Sequence, residues 1–211
     1  VLHIPEYLNY QEAATLPCAA VTAWTCIKAA NIKKGDTVLL LGTGGVSIFG
    51  LQIAKAFGAN VIITSSSNEK LERAKDLGAD ELINYKENSD WGSKAFQAAG
   101  GGVNLVIEIG GGSTFDQSME ALTIGGHISL IGALGGVKTE LNLLQIVFKN
   151  VHTHGITVGS REDHEEMNRF LEEHQIHPVI GKEVAFEQGA DAIMGIAAGN
   201  HFGKIVINLD R

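Results

Sequence analysis

The fold is decided by one stretch of the sequence, Thr37-Val38-Leu39-Leu40-Leu41-Gly42-Thr43-Gly44-Gly45-Val46-Ser47. Its apolar first half predicts a buried strand, and the residues from Val46 to Phe57 predict a helix. Gly42, Gly44 and Gly45 allow a tight turn and a close backbone approach to an anion, while the helix start offers free N–H groups. This context predicts a dinucleotide site with the pyrophosphate at the loop, although a glycine-rich turn that binds nothing fits the same residues.

Short apolar runs and helical stretches alternate along the chain as far as residue 158. The predicted strands are Thr37–Leu41, Val61–Thr64, Glu81–Asn84, Val103–Ile107, His127–Ile131 and His152–Val158. The predicted helices between them are Val46–Phe57, Asn68–Leu77, Ser89–Ala98, Thr114–Leu122 and Leu141–Lys149. Apolar strands separated by helices are typical of a parallel sheet that is covered on both faces. We therefore predict an α/β fold with a doubly wound parallel sheet of the Rossmann type.

The residues at either end of the chain fall outside this alternation. Asn9 and Glu12 have the spacing of a capping box that opens a short helix, and a second helix is predicted over Cys18–Ala30. After the sheet, the predicted elements are a polar helix Arg161–His174, a strand Glu183–Phe186, a helix Gln188–Ala198 and a strand Lys204–Leu209. These last elements carry too few apolar residues to form a core alone. We predict a nucleotide-binding domain with leading helices over residues 1–158, and over residues 159–211 a tail from a second, incomplete domain.

The composition excludes several classes of function. The 211 residues include 16 Lys+Arg and 24 Asp+Glu, a formal net charge of −8, so the chain lacks the basic stripe that would bind nucleic acid or an anionic membrane. No apolar run approaches the roughly 18 residues of a membrane span. Cys18 and Cys26 cannot form a disulfide framework, which favours the cytoplasm. Because the chain starts at Val1 and shows no signal-peptide pattern, we expect it to be part of a longer cytoplasmic protein.

The end of the second predicted strand indicates which nucleotide binds. Enzymes that use NAD place a carboxylate there for the ribose hydroxyls, but this chain reads Thr64-Ser65-Ser66-Ser67-Asn68-Glu69-Lys70, with no carboxylate before Glu69. The hydroxyls of Ser66 and Ser67 and the ammonium group of Lys70 suit a 2′-phosphate, so NADP(H) is favoured over NAD. The alternative is that these hydroxyls only cap the next helix and that Lys70 is a solvated charge. The missing carboxylate also disfavours an S-adenosylmethionine-dependent methyltransferase.

Further motifs follow one another in a characteristic order. They are Glu12–Thr25 (EAATLPCAAVTAWT), Gly42–Ser47, Ser65–Leu71 (SSSNEKL), Leu77–Asp80 (LGAD), Ile83–Tyr85 (INY), Gly125–Ile128 (GGHI) and His201–Val206 (HFGKIV). Over essentially the whole chain, this set resembles the medium-chain dehydrogenase/reductase superfamily, in its alcohol dehydrogenase and quinone oxidoreductase-like branch. The resemblance implies a GroES-like catalytic domain ahead of the nucleotide-binding domain, to which the C-terminal tail returns. The first part of that catalytic domain is expected to be absent from this chain.

The resemblance also implies which residues contact the cofactor. They are Thr22 beside the nicotinamide, Gly132 and Ala133 at its ribose, Gly44, Gly45 and Val46 at the pyrophosphate after the turn at Gly42, Ser66 or Ser67 with Lys70 at the 2′-phosphate, and Tyr85 along the adenosine phosphate. For Gly132 the alternative is an ordinary turn glycine. Cys18 stands where zinc-dependent relatives have a catalytic ligand, but one thiolate cannot make a zinc site and no Cys or His spacing in the chain replaces the other ligands. Zinc is therefore not expected, and Cys18 is predicted to be a buried small residue.

Together, these features predict an oxidoreductase that transfers a hydride between NADP(H) and a small alcohol, carbonyl or quinone substrate. No pattern of a general acid–base pair or a nucleophile is present, so no catalytic residue is assigned, and the isolated chain is expected to bind NADPH without turnover. A non-catalytic NADPH-binding or redox-sensing module fits the nucleotide motifs equally well. The apolar strand near residues 151–158 is expected at the sheet edge, where relatives pair as homodimers. The alternative is that the tail helix covers this edge.

Overall fold

The computed structural model describes residues 1–196 and 198–209. The helices are α1 Tyr10–Ala13, α2 Val21–Ala29, α3 Gly45–Ala56, α4 Asn68–Asp76, α5 Trp91–Ala98, α6 Phe115–Ala121, α7 Leu143–Lys149, α8 Arg161–Glu173 and α9 Gly189–Ile196. The strands are β1 Thr37–Leu41, β2 Asn60–Ser65, β3 Glu81–Asn84, β4 Val103–Glu108, β5 Leu122–Leu130, β6 His152–Gly155, β7 Ile180–Ala185 and β8 Lys204–Asn208. None of the described helices is long and apolar enough to cross a membrane.

The strands β1 to β6 form one parallel sheet in the order β3-β2-β1-β4-β5-β6. In its centre, Leu39 of β1 pairs with Ile62 of β2 on one side and with Val106 of β4 on the other. The order runs outward from β1 to β3 in one direction and from β4 to β6 in the other, so a crevice opens between β1 and β4 at the carboxyl ends of the strands. The predicted doubly wound α/β fold is confirmed.

Two apolar layers cover the sheet. On one face, strand residues such as Leu40 and Ile107 pack beneath α2, α3, α4 and α8. On the other face, Leu39 and Val106 pack against Trp91 of α5 and against residues of α6. A fully buried leucine or isoleucine contributes about 1.5–3 kcal/mol to folding, so this double layer is the main source of stability. It holds the loops at the strand ends in fixed positions.

The N-terminal helices begin as predicted but differ in detail. Glu12 N donates to Asn9 Oδ1 at 2.8 Å and Asn9 N donates to Glu12 Oε2 at 3.0 Å, which confirms the capping box. The predicted helix Cys18–Ala30 is instead a π-helical turn, Leu16–Ala20, that leads into α2. Most of this turn is buried, but Cys18 is exposed, so the prediction of a buried Cys18 is wrong. The turn presents its leucine and alanines to the core and therefore directs the cysteine outward.

The helix α8 packs the start of the C-terminal tail onto the sheet domain. Its Met167 and Leu171 are fully buried in the core layer beneath α2. Lys28 of α2 donates to Glu166 Oε2 at 2.6 Å across the same contact. The sheet itself thus supplies the apolar partner that this polar helix needs.

The rest of the tail forms a small parallel pair of strands, β7 and β8, with α9 between them. β7 begins three residues earlier than the strand predicted over Glu183–Phe186. The helix predicted over Gln188–Ala198 is observed as Gly189–Ile196, and Ala197 lies outside the described residues. Phe202, just before β8, is buried in the core.

The sheet edge at β5 and β6 departs most from the prediction. β5 begins at Leu122 rather than at His127, and its register against β4 shifts between Val103 and Leu105. β6 lies at the edge and begins at His152, as predicted, but it ends at Gly155 and is largely exposed, so the predicted extent to Val158 and the apolar character are wrong. Its His-Thr-His sequence places polar side chains on both faces of the sheet, which suits an edge and not a covered strand.

Lys149 closes the end of α6. Its Nζ donates to the carbonyl oxygens of Met119, Glu120 and Leu122 at 2.9, 2.8 and 3.0 Å. The last carbonyls of a helix have no partner within the helix, and a cation there also interacts favourably with the helix dipole. Lys149 therefore joins α7 to the point at which α6 runs into β5.

Candidate functional site

The glycine loop leaves the amino end of α3 open for a ligand. Gly42 has a φ of +72°, which favours glycine, and its N–H donates to Thr64 Oγ1 at 3.3 Å. Gly44 is the N-cap of α3 and has no side chain that could accept from the first N–H groups of the helix. Ser47, in the place of the usual third glycine, turns its hydroxyl inward and donates to Leu41 O at 2.7 Å. The open N–H groups and the helix dipole favour an anion at this point.

The C-terminal tail closes over the same loop. Gly203 forms a parallel bridge with Gly44, which brings the start of β8 against the loop. A Cβ added at Gly45 would lie 2.7 Å from Lys204 Cδ, so the lysine stem rests on this glycine. A Cβ added at Gly44 would lie 3.6 Å from His201 Nε2. Two basic side chains of the tail are thus placed against the glycines that are predicted to face a pyrophosphate.

These two side chains and Lys70 form a basic corner beside the loop. The pKa of His201 is lowered, mainly by burial and further by the charges of Lys70 and Lys204. Within the described residues, His201 Nδ1 is buried and has no hydrogen-bond partner. A phosphate beside Gly44 would lie on the Nε2 side of the His201 ring and would offset the repulsion among these basic side chains. The basic corner therefore has the chemistry of a phosphate site.

The residues predicted for a 2′-phosphate come together at the start of α4. Ser67 is the N-cap of α4 and its hydroxyl accepts from Lys70 N at 3.3 Å, so the capping alternative is confirmed for this residue. Lys70 is not a freely solvated charge, because its Nζ donates to Gly199 O at 2.7 Å and burial lowers its pKa. Ser66 is half-buried beside them. An ammonium group has three donors, so Lys70 can bind a phosphate while it keeps the contact with the tail.

Tyr85 and Gly42 line one crevice of about 460 Å³ at the carboxyl ends of the strands. Thr64 and Trp91 form part of its wall. The N–H of Tyr85 donates to Ser65 O at 3.1 Å, which fixes the loop after β3, and its side chain is 43% exposed. The crevice lies beside the reversal of strand order, where doubly wound sheets bind nucleotides.

Gly132 and Ala133 line a second crevice, of about 500 Å³, after β5. A Cβ at Gly132 would lie 2.6 Å from Ile109 O, so the packing of this turn requires glycine. The structure therefore confirms the alternative in which Gly132 is a turn glycine. A contact of this turn with the nicotinamide ribose stays a prediction.

Thr22 lies at the start of α2, and its hydroxyl forms a hydrogen bond within the chain. Its Oγ1 donates to Cys18 O at 2.7 Å, and the residue is only 3% exposed. This hydrogen bond joins the first turn of α2 to the π-helical turn that carries Cys18. A place for Thr22 beside the nicotinamide stays a prediction.

The described part of the chain does not by itself form a zinc site. Across residues 1–196 and 198–209, no group of three or more His, Cys, Asp or Glu side chains is arranged to hold a metal. Cys18 alone supplies one ligand, whereas a catalytic zinc needs three from the protein. His127, His152 and His154 lie together on β5 and β6, but their rings stack in nearly parallel planes, with centroids 4.7 and 5.5 Å apart.

Lys204 and His201 are the site residues that sequence reasoning misses. Both belong to the motif His201–Val206, which contributes to the family resemblance but carries no site assignment there. The available signal is a pair of basic residues around Gly203, because a glycine between them permits two backbones to approach each other. The motif lies far from the glycine loop in the sequence, so neither motif alone predicts the hydrogen bond from Gly203 N to Thr43 O.

The fold and the site define a nucleotide-binding α/β domain with an open helix N-terminus and a basic corner at the reversal of strand order. The family model of the zinc-binding dehydrogenases matches residues 45–173. The chain therefore belongs to this family, within the medium-chain dehydrogenase/reductase superfamily.

Individual relatives agree with this assignment. The chain is 45% identical to the zinc-type alcohol dehydrogenase-like protein C1773.06c of Schizosaccharomyces pombe, over 100% of this chain and 63% of that protein. A crystal structure of an NAD-dependent alcohol dehydrogenase matches with a TM-score of 0.91 and 33% identity, covering 99% of this chain and 62% of the other. A mycobacterial protein complexed with NADPH matches with a TM-score of 0.84 and 26% identity, covering 98% and 66%. The chain thus spans less than two thirds of the length of each of these proteins.

Proposed function

We propose that this chain is the cofactor-binding part of an NADP(H)-dependent oxidoreductase of the alcohol dehydrogenase and quinone oxidoreductase type. The observation that carries the proposal is the open amino end of α3, with the glycine loop below it and the Lys204 stem resting on Gly45. This arrangement suits a pyrophosphate, because backbone N–H groups, a helix dipole and a cation converge on one point. A bound nicotinamide supplies the hydride chemistry, and the protein orients it.

The choice of NADP(H) over NAD(H) rests on the start of α4. Lys70 and Ser66 offer donors there, and the strand end carries no carboxylate before Glu69 that would repel a second phosphate. The solved relatives include both an NAD-dependent enzyme and a protein complexed with NADPH, so the family allows either cofactor. In this chain, the donors at α4 favour the phosphorylated one.

The substrate and the catalytic residues belong to the whole protein. We place the nucleotide-binding unit in residues 1–158 and assign residues 159–211 to a catalytic domain that other segments complete. Substrates of the proposed class are small alcohols, carbonyl compounds or quinones that accept or donate a hydride. This chain therefore binds cofactor but does not turn over substrate, and the unpaired cysteines agree with a cytoplasmic location.

The proposal is tested by titrating the purified chain with NADPH and with NADH, followed by cofactor fluorescence and calorimetry. We expect NADPH to bind at least about tenfold more tightly, which corresponds to roughly 1.4 kcal/mol. Lys70→Ala should remove this preference, and Lys75→Ala, an exposed lysine later in α4, should keep it. Absence of binding to both nucleotides refutes the function. Steady NADPH oxidation by this chain alone, with any carbonyl or quinone, refutes the statement that it is inactive.

We also propose that the protein forms a homodimer through the β6 edge. β6 has an unpaired side in the sheet order, and the adjacent α7 exposes a row of apolar side chains. These side chains are Leu143, Leu144, Val147 and Phe148. Sedimentation velocity should show a dimer that Phe148→Asp converts to a monomer. Phe186→Asp, which changes an equally exposed phenylalanine on the tail, should leave the dimer intact.

A further inference from the structure

Glu108, at the carboxyl end of β4, is a fully buried carboxylate. Its Oε1 accepts from Gly110 N at 2.7 Å, from Gly111 N at 3.0 Å and from Thr114 Oγ1 at 2.7 Å. Its Oε2 accepts from Ser118 Oγ. These partners in the described chain are all neutral, so the buried carboxyl group is satisfied by hydrogen bonds from the loop and from α6 and not by an ion pair. The two oxygens of a carboxyl group offer enough lone pairs for all four of these hydrogen bonds.

These hydrogen bonds fix the loop between β4 and α6. The N–H groups of Gly110 and Gly111 point inward to the carboxylate, and Gly111 adopts a φ of +70°. A Cβ at Gly111 would lie 2.7 Å from Gly136 O, so the loop packs tightly against the next one. Without an acceptor at position 108, two buried amides would lose their partners.

The fixed loop in turn holds the loop after β5. Leu134 N donates to Ile109 O at 3.2 Å, and Gly135 N donates to Gly110 O at 2.7 Å. In the opposite direction, Gly112 N donates to Gly136 O at 2.7 Å. The turn that carries Gly132 and Ala133 is therefore attached, through backbone hydrogen bonds, to the segment that Glu108 anchors.

The strand order assigns this pair of loops to one half of a bound dinucleotide. Ser66, Lys70 and Tyr85 follow β2 and β3, on one side of the glycine loop. The loops after β4 and β5 lie on the other side, and Gly110 and Leu134 of these loops form the far wall of the crevice that Tyr85 lines. A dinucleotide whose pyrophosphate lies at α3 and whose adenosine lies over β2 must extend its nicotinamide half over β4 and β5.

We propose that Glu108 is a positioning residue for the nicotinamide half of the cofactor, an inference that rests on the proposed function. Glu108 does not touch the cofactor. It holds the β4–α6 loop, and through it Gly132 and Ala133, in the shape that receives the nicotinamide ribose. Its contribution is preorganisation, because the loops are ordered before the cofactor binds.

The test compares a whole cofactor with its adenosine half on the same chain. NADPH and adenosine 2′,5′-bisphosphate are titrated by calorimetry, or NADH and ADP if NADH binds more tightly. We expect Glu108→Ala to weaken the whole cofactor by about tenfold and its adenosine half by less than about twofold, because only the whole cofactor extends to the turn of Gly132 and Ala133 that this loop holds. Glu108→Gln, whose amide oxygen can replace Oε1, should restore whole-cofactor affinity to within about threefold of wild type.

Two further variants keep the test decisive. Met167→Ala opens a cavity on α8, away from the crevice, and should lower stability without changing the affinity ratio of the two ligands. If circular dichroism shows that Glu108→Ala does not fold, Ser118→Ala removes one donor from the carboxylate and should still lower the ratio by about threefold. A wild-type chain that binds neither cofactor refutes the proposed function. If Glu108→Ala folds and the affinity ratio of the two ligands is unchanged, the role of Glu108 is overturned but the proposed function is not. If Glu108→Ala does not fold, an unchanged ratio in Ser118→Ala has the same meaning.

Discussion

Replacing Lys204 with methionine should weaken NADPH and NADH equally, because the pyrophosphate is common to both cofactors. The Lys204 stem lies on Gly45 at the open end of α3 and is half-buried. At a separation of ~5 Å, two unit charges attract by about 3 kcal/mol at an effective dielectric of ~20 and by about 0.8 kcal/mol in water. A half-buried lysine lies between these limits, at about 1.4 kcal/mol, which is roughly a tenfold rise in Kd.

Calorimetric titration of wild type and Lys204→Met with both cofactors, in ~20 mM and ~500 mM salt, measures this effect. The difference should shrink at the higher salt because counterions screen the attraction. Lys182→Met is the matched control, since Lys182 lies on β7 directly opposite Ile205 and is exposed. A change of less than twofold in Lys204→Met, or a change that affects NADPH alone, would refute the placement of the pyrophosphate at the α3 terminus.

Three further predictions concern stability and reactivity. Lys149→Met should lower the free energy of unfolding, measured by urea denaturation, by about 2 kcal/mol, because three carbonyl oxygens lose a charged donor. The control Lys94→Met, on the exposed side of α5, should change this free energy by less than about 0.5 kcal/mol. Iodoacetamide at pH 8 should alkylate the exposed Cys18 and spare Cys26, whose pKa burial raises to about 12; mass spectrometry that finds both equally modified contradicts this. Hydrogen bonds from Ser160 lower the pKa of Asp163 in the folded chain, so their contribution is complete above pH 5 and is lost as the pH falls through the folded pKa. The difference in urea midpoint between wild type and Asp163→Asn should accordingly be largest near pH 7 and shrink below pH 4, and a constant difference excludes this linkage.

The strands and helices of the sheet could be predicted because each carries a local signal. Thr37–Leu41 and Glu81–Asn84 are observed with the bounds that the apolar runs predict. The spatial order of the strands could not be read from the sequence, because the same alternation of strands and helices is compatible with more than one doubly wound order. That order is nevertheless what separates the proposed adenosine half of the site from the proposed nicotinamide half.

Glu108 shows why the hydrophobic pattern alone can predict the wrong end for a strand. The strand predicted over Val103–Ile107 stops before it, since a carboxylate normally marks the end of a buried run. In the structure β4 includes Glu108, because four donors within the next ten residues satisfy the buried carboxyl group. The sequence gives no sign of these donors beyond a glycine-rich stretch, which by itself predicts only a turn.

In the basic corner, the C-terminal tail restricts the side chain of Lys70, and this affects the proposed choice of cofactor. Lys70 is held by Gly199 O, and the tail that contains Gly199 is itself tied to the glycine loop through the hydrogen bond from Gly203 N to Thr43 O. A surface lysine loses up to about 2 kcal/mol of side-chain entropy when a ligand fixes it. In this fold, tail docking has already restricted Lys70 before a 2′-phosphate arrives, so less entropy is lost on binding. The proposed preference for NADPH would therefore depend on the tail as well as on α4, and releasing the tail should weaken it even where every residue of α4 is unchanged.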